Sequence, residues 1–152
     1  MKSLQDQYAP NNECFGCGPA NKKGLRIKSF VEKDQLVAHW QPESHHIAFK
    51  GMLNGGICGA LLDCHSNWTA AYFLMLKNEL KVPPCTVTAE YKIQLHRPTP
   101  SEKQLKLVAW VVDISPRKGV IKAYIEVDKQ KTASCEGTFV AVQEGHPAYN
   151  RW

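Results

Sequence analysis

The sequence has no apolar run at its start, no block of lysine and arginine, no second metal-type pair of cysteines or histidines, and no internal repeat or low-complexity tract. Each absence removes a class of protein. The opening residues MKSLQDQYAP lack the hydrophobic core of a secretory signal, so a cytosolic protein is expected. A net charge of +5 spread along the chain, without a basic stripe interleaved with aromatics, argues against a nucleic-acid partner. A small polyanionic ligand suits the same surplus. Six cysteines in a cytosolic chain read as reduced thiols, several of them small core fillers. Only Cys14 and Cys17 have motif spacing, and Cys58, Cys64, Cys85 and Cys135 lie scattered, so no metal is expected.

What is present suits one domain spanning residues 1–152, with 43% hydrophobic residues to build its core. Residues 1–23 are rich in Pro, Gly and Asn and read as an irregular lead-in. Gly24 to Glu32 and Gln35 to Trp40 alternate as strands around a Lys33-Asp34 turn. Pro42 to Gly51 reads as a loop. Asn54-Gly55-Gly56 then permits tight turning before a helix from Ile57 to about Leu76 that is apolar on nearly every side.

That stretch has about the 20 residues of a membrane span. Asp63, His65, Ser66 and Asn67 near its middle argue instead for a buried helix in a protein without a membrane partner. After Pro83-Pro84 the period becomes two. Val87, Ala89, Tyr91, Ile93 and Leu95 form one face of a strand, and Gln104 to Ile114, Val120 to Val127 and Thr132 to Val142 supply three more. The expected class is α+β, an antiparallel sheet packed against one long central helix.

Asp63 is the only formally charged residue of that helix. A carboxylate there is costly unless satisfied, so it marks either a structural hydrogen-bond network or a working site. Asn67, four residues on, shares its face and can orient the carboxylate or a water, or simply satisfy it. His65 projects elsewhere. The amides of Gly55, Gly56 and Ile57 sit at the positive end of the helix dipole and can serve as an oxyanion site, or can mark close backbone packing. Each such donor is worth about 2.7–4 kcal/mol in acyl transfer.

GMLNGGICGALLD (Gly51 to Asp63) resembles the signature of the phenylacetate-pathway type of hotdog thioesterase, where a His-Gly-Gly turn opens the central helix and an acid follows seven positions after the second glycine. CFGCGPANKKGLRI, YKIQLHRPTP and GTFVAV are also similar to segments of that family. The resemblance implies a sheet of about six strands curled around the helix. It implies a homodimer or homotetramer, an acyl-CoA substrate, and no cofactor beyond the coenzyme A of the substrate. The site would lie between subunits, the amide near Gly56 coming from one and Asp63, as general base or nucleophile, from the other. Gly55, Arg97, Arg117 and Lys118 would bind the CoA moiety, the three cations holding its phosphates or else being solvated turn charges.

Two positions depart from the family pattern: Asn54 replaces the turn histidine, where it stays a catalytic candidate as a hydrogen-bond donor that cannot take up a proton near neutral pH, and Ala48 replaces a polar residue six positions earlier. His45 or His46 is a candidate to compensate. These departures leave a non-catalytic acyl-CoA binding protein as the competing function. An enoyl-CoA hydratase would need a histidine where Trp68 stands.

Overall fold

The computed structural model describes all 152 residues. Its centre is α2 (Gly55–Lys77), a helix of 23 residues that begins where Asn54 adopts extended backbone and its side chain accepts the Ile57 N–H. It stops at Asn78, whose side chain donates to the Leu74 carbonyl and to that of Pro116. Leu61, Leu62, Trp68, Ala70, Ala71 and Leu74 are fully enclosed, so α2 is buried along most of its length. No helix is long and apolar enough to cross a membrane.

Six antiparallel strands wrap this helix in the order β1-β2-β6-β7-β8-β5. They are β1 (Phe30–Glu32), β2 (Gln35–Trp40), β5 (Thr86–Leu95), β6 (Leu105–Ile114), β7 (Lys118–Val127) and β8 (Gln130–Ala141). The inward residues of β7, namely Ile121, Ala123, Ile125 and Val127, meet α2, while Lys118 and Lys122 face solvent. That is the period-two pattern of a sheet with one covered face. Phe139 on β8 is fully buried under the helix. The fold class is therefore α+β, as the sequence implies.

Local differences from the sequence expectations have identifiable causes. The lead-in contains a short helix, α1 (Leu4–Tyr8), capped by Ser3. Only Phe30–Glu32 of the expected first strand pairs with β2, because Ser29 instead bonds the lead-in through Leu4 N–H and Gln5 Oε1. The expected loop at residues 42–51 holds a 3₁₀ turn and β3 (Ile47–Phe49), which pairs with β4 (Met52–Leu53).

A more consequential difference lies in β5. Its pairing with β8 shifts register between Thr88 and Glu90, leaving Ala89 as an extra residue. Such a bulge inverts the inside–outside assignment of everything before it. Thr88 therefore pairs with inward-facing Phe139 and looks toward α2, where simple alternation from Tyr91 would have put Ala89 and Val87.

Candidate active site

Asp63 lies two turns into α2, half-buried, on the face that looks toward β5. Thr88, turned inward by the bulge, donates its hydroxyl to Asp63 Oδ1 at 2.6 Å. Burial raises the Asp63 pKa above the ordinary carboxylate value, the Thr88 hydrogen bond pulls it down, and Arg151 also favours the charged form. The acid is held by one bond and is not walled off. Beside it, Tyr91 remains 44% exposed, and its phenol is pushed above its ordinary pKa by burial and by the Asp63 charge.

Asn67 shares that helical face but does not satisfy Asp63. Its Nδ2 donates to the Thr86 carbonyl at 3.4 Å and its buried Oδ1 has no protein donor. Thr88 is thus the residue that orients the acid, and it escapes a sequence reading because bulges leave no periodic mark. Nearby, Arg151 donates to the Thr86 carbonyl and Trp152 stacks on Trp68 at 4.6 Å. The final residues therefore cover the middle of α2, which their sequence does not announce.

At the start of α2 the Gly55 and Gly56 amides have no acceptor, as expected of the first helical turn, while Ile57 N–H is taken by Asn54. A Cβ on Gly55 would lie 3.0 Å from Leu95 Cδ1, and one on Gly56 would lie 3.0 Å from Asn54 Oδ1, so both glycines keep the turn clear. Gly55 borders a groove of about 360 Å³ that is also lined by Ala48, Phe49, Cys58, Leu95 and Arg97, among others, while Gly56 lies outside it. Arg97 donates to Gln130 at the rim.

The structure separates the remaining candidates. Arg117 and Lys118 sit at the β6–β7 turn beside Asn78, at the far end of α2 from Gly55 and Arg97. A helix of that length spans about 34 Å, so within one chain these two cations do not line the groove with Arg97. His46 is engaged within its own turn. Its Nδ1 accepts the Glu43 N–H and its ring packs on Trp40, while His45 is exposed in the same turn. Tyr72 and Phe73 pack edge to face with each other against the core.

No family model matches the sequence, and no curated protein does. Solved structures do match. A thioesterase superfamily protein from Shewanella loihica PV-4 is 26% identical, with a TM-score of 0.68 over 82% of this chain and 98% of that one. The PaaI protein of the E. coli phenylacetic acid degradation operon is 17% identical, with a TM-score of 0.68 over 82% of this chain and 85% of its own. The chain has the hotdog fold. A third hotdog neighbour, from Streptococcus mutans UA159 and solved bound to acetyl CoA, is 15% identical with a TM-score of 0.63, covering 76% of this chain and 88% of that one. In this hotdog domain the glycine turn opens α2 and the helical acid lies two turns further along, both in its first half.

Proposed function

We propose that the protein hydrolyses an acyl-CoA thioester to a free acid and coenzyme A. The observation that carries this reading is the half-buried Asp63 held by Thr88 on the same helix whose first two amides are unpaired. Water adds to the thioester carbonyl, Asp63 takes its proton or itself attacks first, and the C–S bond breaks to release the CoA thiol. Negative charge on the carbonyl oxygen is stabilised by the Gly55 and Gly56 amides and the positive end of α2. No redox or carrier cofactor takes part in that hydrolysis.

The spacing of these parts supports a homodimer or homotetramer. Asp63 follows Gly56 by seven positions, or about 10 Å along the helix axis. One thioester cannot sit within hydrogen-bond reach of both in the same chain. Strand β5 is a ten-residue free edge, with Tyr91 44% and Leu95 57% exposed beside it. Pairing two such edges covers the apolar residues and brings Asp63 of one copy toward the helix start of the other. Arg97 at the groove rim supplies a cation for the CoA phosphates.

Asn54 favours a second reading. Its Oδ1 is taken up by the helix cap, and an amide side chain offers the turn no titratable group. A protein limited to binding acyl-CoA would show saturable calorimetric binding without turnover. The deciding experiment is a panel of short, medium, long and aromatic acyl-CoAs assayed with wild type and Asp63→Ala. Hydrolysis abolished by the substitution supports the thioesterase. Absence of turnover across the panel refutes it.

A further inference from the structure

We propose that Cys14, Cys17 and Cys64 form a zinc site of three thiolates with one open coordination position. The sequence offers only the Cys14-x-x-Cys17 pair, but the fold lays that loop on α2 directly over Cys64, and the three sulfurs lie within 4.8 Å of one another. Two thiolates bound at about 2.3 Å to a tetrahedral zinc stand about 3.8 Å apart. Cys14 and Cys64 already have their sulfurs at 3.8 Å. A disulfide between them would require closure to about 2.05 Å.

The loop is built to hold these sulfurs. Gly18 N–H donates to the Cys14 carbonyl at 2.8 Å, Cys14 N–H donates to Asn12 Oδ1 at 2.9 Å, and Leu25 and Ile27 tie down the carbonyls of Phe15 and Gly16. A Cβ on Gly16 would fall 2.3 Å from Cys64 Sγ, and one on Gly18 would fall 2.4 Å from Cys14 N. Bare backbone is required at both positions for the thiols to meet.

Trp68 adds an independent observation. Its Nε1–H is fully buried, lies beside Cys17 and has no hydrogen-bond partner. Such a donor suits a metal-bound sulfur, whose lone pairs accept hydrogen bonds. Cys17 is buried and Cys14 and Cys64 are half-buried, so the open position lies on the side of the last two. On binding, each protonated thiol releases its proton to solvent as its sulfur joins the metal.

The test uses the full chain purified under reducing conditions, stripped of metal and titrated with Co²⁺ and then Zn²⁺. The expected result is one ion per chain, a near-ultraviolet thiolate-to-cobalt absorption band, and its loss on zinc addition. Cys64→Ser and Gly16→Ala should weaken zinc by about a hundredfold or more in chelator competition, since even outer contacts to a zinc site are worth 10- to 100-fold. Cys85→Ser and Cys135→Ser should leave it unchanged, with circular dichroism verifying the fold of each variant. Absence of the cobalt band in wild type overturns the proposal, as does zinc affinity that survives Cys64→Ser.

Discussion

Lowering the pH should destabilise this protein through His65, and the size of the effect follows from its surroundings. His65 is fully enclosed between α2 and β2. Its Nε2–H donates to the Leu36 carbonyl at 3.0 Å, and its Nδ1 accepts the Ser29 hydroxyl at 2.8 Å, that hydroxyl being fixed by the Gln5 amide. Only the neutral ring satisfies both contacts, and burial pushes its pKa down to about 4 from 6.5. The unfolded chain therefore takes up the proton first. Stability is intact above pH 6.5 and is lost as pH falls toward 4.

At about 1.4 kcal/mol per unit the full loss is about 3 kcal/mol, of which about 2 kcal/mol is gone by pH 5. Urea unfolding at pH 7.5 and 5.0, for wild type and His65→Gln, isolates the contribution. The variant is less stable at pH 7.5 but loses about 2 kcal/mol less on acidification. Equal losses in the two proteins would refute the assignment.

Three further outcomes are expected. A hydrogen bond to a charged group is worth about 1.5–3 kcal/mol, so Thr88→Val should move the acid limb of the pH profile of the proposed acyl-CoA hydrolysis upward by about 1–2 units, while Thr88→Ser leaves it in place. An unmoved limb would separate Thr88 from the chemistry. Phe139→Ala empties a fully buried position under α2 and should cost about 3–5 kcal/mol in denaturant unfolding without altering the m-value. Leu95→Glu places a charge beside the free β5 edge and should shift sedimentation toward the monomer and reduce turnover with it; a variant that stays oligomeric would place the interface elsewhere.

The helix and the strands were legible because their signals are local. An apolar run opened by Asn54-Gly55-Gly56 can be nothing but a buried helix once Asp63 and His65 exclude lipid, and β6, β7 and β8 begin within two residues of their expected starts. What escaped were features created by long-range placement. Cys64 joins Cys14 across 50 residues of chain. Arg117 and Lys118 share a loop position and a charge with Arg97, but the length of α2 sends them to the other end. Ser29 leaves its strand for Gln5, a partner 24 residues away.

The bulge at Ala89 shows why the site was harder to read than the fold. The macrodipole of α2 fades within its first turn, so it cannot tune an acid two turns further on. Asp63 must take its state from what packs over it, and that contact is Thr88. Without the extra residue, alternation would turn Thr88 outward and set apolar Ala89 against α2, removing the hydroxyl that now opposes the desolvation of the carboxylate. One inserted residue in an edge strand therefore decides how strongly Asp63 holds its proton. The helix start, where Gly55 and Gly56 leave their amides free, lies beyond the reach of that contact and, in the thioester hydrolysis proposed above, would meet the developing charge on the carbonyl oxygen.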